Sequence, residues 1–112
     1  MGDMFRECIN LLNLNPLTNW NTEKVVNMNG IFDSCSSIVD LSPLASWNTG
    51  NVTTMSYMFS GCTKLANPSA INNWDISSVT AFKYMFRNCP SHPIFTKRAG
   101  TWDRSGTFNP TA

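Results

Sequence analysis

The sequence repeats itself with a period of 27 residues, and this repetition constrains the fold more than any other feature. Residues at that spacing include Phe5, Phe32, Phe59 and Phe86; Cys8, Cys35, Cys62 and Cys89; Trp20, Trp47 and Trp74; and Val25, Val52 and Val79. In repeat proteins a single unit cannot bury its apolar face alone, and stacked neighbours complete one continuous core. The recurring apolar residues are therefore predicted to form buried ladders.

Within one unit the apolar residues lie mostly three positions apart, as in Val52, Met55, Met58, Cys62 and Leu65. This spacing is neither the strict alternation of a strand nor the pattern of a long helix. It indicates a coil whose short segments each turn one residue inward. The predicted fold class is an α/β repeat solenoid with about four 27-residue units, short parallel strands and short helical or 3-10 segments.

The helical or 3-10 segment of the central unit is predicted at residues 52–60, and Gly61 is suited to the left-handed residue that ends it. The equivalent segments are residues 25–33 and 79–87. Short extended segments are expected at residues 37–41 and near residues 11–14 and 65–67. There, neighbouring units would pair as a parallel ladder.

The repeat breaks after Cys89, and this break sets the predicted domain division. Units begin near residues 4, 31, 58 and 85, so residues 1–89 are predicted to form the solenoid. Pro90, Pro93 and Gly100 interrupt the pattern, and residues 90–112 are predicted to form an irregular C-terminal cap that stops further stacking. The first unit begins almost directly at Met4, which indicates that upstream sequence has been removed or that a partner subunit covers that end.

One unit contains Trp-Asn-Thr at residues 47–49, Asn-Val-Thr at residues 51–53, and Met-x-x-Met-Phe-x-x-Cys-x-x-Leu at residues 55–65. This pattern, which recurs over roughly residues 4–89, resembles that of the BspA-like leucine-rich-repeat surface proteins. The resemblance implies a leucine-rich-repeat-like solenoid and a role in binding or adhesion. Similar repeats occur in some viral and phage proteins. The resemblance brings no enzymatic activity or catalytic residue with it.

Composition argues against several classes of partner. The 112 residues suit one domain, and a charged fraction of 13% with a net charge of +1 does not suggest a nucleic-acid footprint or a trap for acidic substrates. No apolar run has the length of a membrane span, and the first residues lack the layout of a signal peptide. We therefore expect no nucleic-acid partner and no membrane insertion.

The chemically reactive side chains form no recognisable catalytic or metal-binding pattern. The four cysteines occupy one ladder position without a Cys-x-x-Cys pair, so they are predicted to be a buried column of free thiols. His92 is the only histidine, and the aspartates show no two-carboxylate spacing. The chain is therefore predicted not to be an enzyme, with no catalytic residues, no cofactor and no metal. A small hydrolase or metal enzyme is the least supported alternative.

Two rows of side chains have both a structural and a functional interpretation. Trp20, Trp47 and Trp74 are predicted to be a packed corner ladder, with a sugar-stacking platform as the alternative. The Asx residue that follows each tryptophan is expected to cap the next turn. Thr22 and Thr49 align as in an ice-binding row, but Ile76 ends that row, and ice binding has little support.

The function predicted from these features is non-enzymatic recognition of a protein or glycan by a module displayed on a bacterial or viral surface. The candidate recognition surface comprises Asn13, Asp40, Asn67, Ser42 and Ser69. The alternative is a virion structural component, such as a capsid decoration or tail-fibre protein, that contacts other subunits through its uncapped N-terminal end. The expected location is the bacterial cell surface or the extracellular space if a longer exported protein contains the chain, and otherwise the virion.

Overall fold

The computed structural model describes residues 14–111. Regular secondary structure in this range consists of three single-turn 3-10 helices and one two-stranded sheet. The 3-10 helices are Asn15–Leu17, Ser42–Leu44 and Ser69–Ile71, and they recur at the 27-residue interval. Strands β1 (Gly100–Trp102) and β2 (Phe108–Pro110) pair antiparallel, with Thr101 opposite Asn109.

The predicted fold class, an α/β repeat solenoid of leucine-rich-repeat type with short parallel strands, is wrong. Residues 14–111 contain no α-helix, and their one sheet is antiparallel. Residues 25–33, 52–60 and 79–87, predicted to be helical or 3-10, each contain one residue of an isolated parallel bridge (Asn27, Thr54 or Ala81) followed by turns. The extended segments predicted at residues 37–41 and 65–67 form only the isolated bridge between Asp40 and Asn67, and the one predicted near residues 11–14 lies outside the described residues except for Leu14.

Left-handed residues explain why neither helix nor strand continues. Each unit contains two residues with positive φ, spaced four apart: Gly30 (64°) and Ser34 (62°), Tyr57 (62°) and Gly61 (75°), Tyr84 (55°) and Asn88 (61°). A left-handed residue reverses the local course of the backbone, so a right-handed helix or a regular strand cannot pass through it. The left-handed conformation predicted at Gly61 is present, but it belongs to a turn rather than to a helix end.

The 27-residue period appears in three dimensions as hydrogen bonding between units. Alternate N–H groups of one unit donate to carbonyl oxygens 26 residues further along the chain, at N···O distances of 2.6–3.0 Å. The first set joins Met28 to Thr54, Gly30 to Ser56, Phe32 to Met58, and Ser34 to Ser60. The second set joins Met55 to Ala81, Tyr57 to Lys83, Phe59 to Met85, and Gly61 to Arg87. Equivalent residues of successive units therefore lie side by side.

This arrangement builds the core from columns of identical side chains. Phe59 is fully buried and stacks between Phe32 and Phe86, with ring centroids 5.5 and 5.1 Å apart. Trp47 and Trp74 are also buried, and their rings are stacked 6.5 Å apart and nearly parallel. The predicted burial of the apolar ladder positions is confirmed for most of those described, although Val25 and Cys89 are only partly buried and Trp20 is 38% exposed.

The last repeat unit is closed by residues 90–111. Its N–H groups at Tyr84 and Phe86 have no further unit to bond, and instead they donate to Thr107 Oγ1 (2.9 Å) and the Gly106 carbonyl (3.0 Å). Arg98 Nη1 donates to the carbonyls of Ile76 (2.9 Å) and Val79 (2.7 Å) on the same unit. The hairpin of β1 and β2 thus supplies hydrogen-bond acceptors that another repeat would otherwise provide.

Replacing the central ring of the phenylalanine column is expected to be severely destabilising. Phe59→Ala removes a fully buried ring that packs against both neighbouring units, and such a cavity costs about 3–5 kcal/mol. Chemical denaturation measures this loss as a lower unfolding midpoint. Val26→Ala, at a side chain 52% exposed, is the control and should shift unfolding by less than about 1 kcal/mol. Similar midpoints for the two variants would contradict the assigned core.

Closure of the last unit is expected to depend on the absence of a side chain at Gly106. This residue has φ +78°, and an added Cβ would lie 2.4 Å from Arg87 N and 2.5 Å from Phe86 C. Gly106→Ala should therefore destabilise the chain by about 2 kcal/mol or more. Gly50→Ala is the matched control, because its nearest contact is the Asn48 side-chain oxygen at 3.3 Å. Equal thermal unfolding temperatures for both variants would refute this account of the hairpin.

Candidate functional site

Four of the predicted recognition residues lie in one exposed row, while Asn13 lies outside the described residues. Asp40 and Asn67 are joined by a parallel bridge between neighbouring units. Ser42 donates its N–H (2.9 Å) and its hydroxyl (2.7 Å) to the Asp40 carboxylate, and the hydroxyl of Ser69 donates to Asn67 Oδ1 (2.7 Å). Each pair begins a 3-10 helix, so turn formation accounts for these recurring residues.

The hydrogen bonds that form the turn after Asp40 also affect the pKa of its carboxyl group. The N–H of Ser42, followed by its hydroxyl, lowers the pKa of Asp40 below its ordinary value. The pKa of Asp75 is lowered in the same way, by the hydroxyl of Ser77 and then by its N–H. The Asx caps predicted after each tryptophan are confirmed: Asn21, Asn48 and Asp75 accept N–H bonds from the residue two positions later.

Most of the tryptophan and threonine rows is buried and not accessible to a ligand, with Trp20 the exposed member. Trp47 and Trp74 are 4% and 2% exposed, and each indole N–H donates to a carbonyl of the preceding unit, Leu17 or Leu44. The predicted corner ladder is therefore confirmed for these two residues. Thr22 and Thr49 are also buried, and their hydroxyls donate to the carbonyls of Asn48 and Asp75. Neither side chain has the exposure that ice binding requires.

Cys35, Cys62 and Cys89 form part of the predicted column of free thiols, and Cys8 lies outside the described residues. Cys35 and Cys62 are buried, whereas Cys89 is partly exposed. The thiols of Cys62 and Cys89 donate to the carbonyls of Phe32 (3.3 Å) and Phe59 (3.0 Å). Burial raises the pKa of Cys89 to about 11 and that of Cys62 further. Both thiols are thus protonated near neutral pH and are poor nucleophiles.

A pocket of about 270 Å³ lies in the C-terminal segment. Its lining comprises His92, Pro93, Ile94, Phe95, Arg98, Gly100, Thr101, Trp102 and Phe108. The imidazole of His92 stacks on Trp102 with ring centroids 4.9 Å apart, and the Trp102 indole donates to the Pro93 carbonyl (2.9 Å). Arg98 uses its Nη1 to close the last repeat, as described above. The polar groups of this pocket thus serve to hold the C-terminal segment together and to join it to the last repeat unit.

The surface with the clearest capacity for binding is formed by Tyr57, Tyr84, Lys83 and Arg87, which we call the tyrosine patch. The two tyrosine rings are half-buried and meet edge to face, with centroids 5.4 Å apart and an interplanar angle of 76°. Lys83 Nζ lies 5.2 Å and Arg87 Cζ 4.9 Å from the centre of the Tyr84 ring. Each cation–π contact at such an exposed position is worth about 0.5–1 kcal/mol.

The cations of the tyrosine patch have no acidic partner among residues 14–111. Lys83 and Arg87 are both exposed, and neither forms an ion pair with a described carboxylate. Their contacts with the Tyr84 ring hold them at the surface without neutralising their charge. The patch therefore combines flat aromatic rings with two available positive charges.

Backbone strain distinguishes these tyrosines from ordinary surface residues. Tyr57 and Tyr84 occupy a left-handed position at which the preceding unit has Gly30. A residue with a side chain pays about 1–2 kcal/mol in that conformation, which glycine adopts freely. The hydrogen bonds from Tyr57 N to the Lys83 carbonyl (2.8 Å) and from Tyr84 N to Thr107 Oγ1 (2.9 Å) hold the backbone there. Strain of this kind is concentrated at functional sites.

The sequence-based prediction missed the tyrosine patch. Two features of the sequence could have indicated the patch. Tyrosine stands at the positions equivalent to Gly30 in the two later units, and lysine and arginine are frequent late in the chain. Without knowledge that this position is left-handed, tyrosine in place of glycine carried no structural meaning.

The fold and surface define a repeat protein whose units share one backbone pattern and differ at an exposed aromatic and basic face. The chain matches the family described as "Mycoplasma protein of unknown function, DUF285" over residues 1–110, and it belongs to that family. No curated protein and no solved structure matches it.

Among residues 14–111, no helix has the length and apolar character needed to cross a membrane. Within the same residues there is no cluster of three or more His, Cys, Asp or Glu side chains able to hold a metal ion.

The turn that supports Tyr84 is expected to weaken in acid. The Ser105 hydroxyl (2.5 Å) and the Asn109 amide (3.1 Å), with N–H groups of Thr107 and Ser105, lower the pKa of Asp103 to about 2. A lowered pKa in the folded state means that this stabilisation is complete above the unfolded pKa of about 4 and is lost as pH falls toward 2.

Thermal unfolding followed by circular dichroism between pH 2 and pH 6 measures this effect. Asp103→Asn should show a shallower decline in melting temperature below about pH 4 than the parent chain. Part of the decline should remain, because the pKa values of Asp40 and Asp75 are also lowered. Parallel pH profiles for the two proteins would contradict the assigned role of the Asp103 carboxylate.

Proposed function

We propose that the chain is a BspA-like repeat protein that acts as a non-enzymatic recognition module and binds a protein or glycan through the tyrosine patch. The recurring Trp-Asx-Thr, Asn-Val-Thr and Met-Phe-x-x-Cys pattern supports the kinship, and the family match supports a repeat protein. The family description, which names Mycoplasma proteins, favours display on a bacterial surface over the virion alternative.

The observation that carries this proposal is the pair of tyrosines at strained backbone positions. If these residues served folding alone, glycine would satisfy the same conformation without the penalty, as Gly30 does in the preceding unit. Retention of two half-exposed aromatic side chains there favours a role outside folding. Tyrosine is also among the residues enriched where proteins bind one another, because its ring is large, rigid and amphipathic.

The reactive groups of the described residues support binding rather than catalysis. The thiols of Cys62 and Cys89 have raised pKa values, and the imidazole of His92 stacks on an indole. The carboxylates of Asp40, Asp75 and Asp103 accept hydrogen bonds from nearby serines that form turns. None of these arrangements couples a nucleophile to a general base.

A glycine substitution separates binding from folding at this site. Tyr57→Gly should leave the free energy of unfolding within about 1 kcal/mol of the parent value, because relief of left-handed strain offsets loss of the ring contact. Tyr57→Ala keeps the strain and loses the ring, so it should be the less stable variant. Chemical denaturation of both variants measures this difference.

The same variants are then tested for binding to a panel of immobilised glycans and purified extracellular proteins. We expect the parent chain to bind at least one member of the panel and Tyr57→Gly to lose that binding while remaining folded. Val39→Ala, at a side chain 45% exposed and outside the tyrosine patch, is the control and should bind like the parent. Absence of binding by the parent, or undiminished binding by Tyr57→Gly, would overturn the proposal.

A further inference from the structure

We propose that the ligand of the tyrosine patch is an acidic glycan, a saccharide chain that carries carboxylate or sulfate groups. In this arrangement a sugar ring packs on Tyr57, and an acidic group binds Lys83 and Arg87. The inference rests on the proposed function, since it names the ligand class of the same surface. Two observations carry it: Lys83 and Arg87 have no acidic partner among residues 14–111, and the rings of Tyr57 and Tyr84 meet at a fixed corner.

The positive charge of the patch is available and held in place before any ligand binds. Lys83 Nζ and Arg87 Cζ lie 5.2 and 4.9 Å from the centroid of the same ring, that of Tyr84. Residues 76–111 contain five lysine and arginine residues and one carboxylate, Asp103. That carboxylate accepts hydrogen bonds within its own turn. At the patch itself, an acidic ligand meets two cations that form no ion pair with a carboxylate of residues 14–111.

The aromatic part of the patch suits a sugar ring. Tyr57 and Tyr84 meet at 76°, which creates a corner with two nearly perpendicular ring faces. The cations occupy the region around Tyr84, so Tyr57 is the ring assigned to a neutral sugar face. Because the left-handed backbone at Tyr57 is fixed by its hydrogen bond to the Lys83 carbonyl, little conformational entropy remains to be lost on binding.

A peptide strand or a nucleic acid fits this surface less well. The backbone N–H groups of Tyr57 and Tyr84 already donate to the Lys83 carbonyl and to Thr107 Oγ1, so they are not free to pair with an added strand. A nucleic-acid site requires an extended track of cations along the phosphate backbone. The patch contains two cations, and the whole chain has a net charge of +1.

The inference is tested with three polysaccharide probes and the intact chain. Heparin carries sulfate and carboxylate groups, hyaluronan carries carboxylates alone, and dextran is neutral. Titration calorimetry should detect binding to heparin or hyaluronan, weakened by raising the salt concentration, and no binding to dextran. Lys83→Gln and Arg87→Gln should each weaken binding about tenfold, and Tyr57→Gly should weaken it to a similar extent.

Matched controls distinguish a built site from general charge. Lys24→Gln and Lys64→Gln remove exposed lysines outside the tyrosine patch, and both should bind within about twofold of the parent. Equal weakening by these controls would overturn the inference. So would binding of polyglutamate or single-stranded DNA as strong as that of heparin, because each would indicate attraction without sugar recognition.

The remaining outcomes separate this inference from the proposed function. If the parent chain binds no acidic polysaccharide but binds a protein of the earlier panel through Tyr57, the ligand class is wrong and the recognition role stands. If it binds dextran as tightly as heparin, the acidic group has no part and the inference fails. If the lysine and arginine variants weaken binding while Tyr57→Gly does not, the proposed sugar contact at Tyr57 is refuted.

Discussion

The structure depends on the hydrogen bonds that join alternate N–H groups of one unit to carbonyls 26 residues further along. These bonds satisfy the backbone of segments that form no helix or sheet, and buried backbone groups must be satisfied for a fold to be stable. They also fix the register between units, which brings Phe32, Phe59 and Phe86 into one column. Two left-handed residues in each unit orient backbone N–H groups toward the next unit. The backbone geometry therefore determines which side chains pack together in the core.

The last unit of the stack has N–H donors without a following unit to accept them, and the C-terminal hairpin supplies the acceptors. Donors at Tyr84 and Phe86 face a position where no further unit exists, and Thr107 and Gly106 supply the acceptors. Only a residue without a side chain fits where Gly106 approaches the backbone of Arg87. The hairpin therefore acts on the tyrosine patch as well as on stability, because its Thr107 holds the backbone of Tyr84.

The sequence period predicted which residues share a column but not how the chain runs between columns. Burial of residues such as Phe59 and Cys62 followed from their recurrence, and the Asx turns followed from side-chain chemistry. An apolar spacing of about three is common to a short helix and to a chain of turns, so the fold class was wrong. Left-handed conformation is signalled by Gly30 and Gly61 but hidden at Ser34, where a side chain is present. The tyrosine patch depends on this hidden conformation.

A backbone imposed by stacking allows one position to change its side chain without changing the fold. Positive φ is held at Gly30 and Tyr57 by hydrogen bonds to the next unit, and at Tyr84 by the hydrogen bond to Thr107 of the C-terminal hairpin. Glycine satisfies that conformation freely, and tyrosine tolerates it only because the stack outweighs a local penalty of about 1–2 kcal/mol. Units can therefore differ in surface chemistry while sharing a core. In such a repeat, a side chain at a position that favours glycine is a stronger indicator of function than a polar residue whose hydrogen bonds already form a turn.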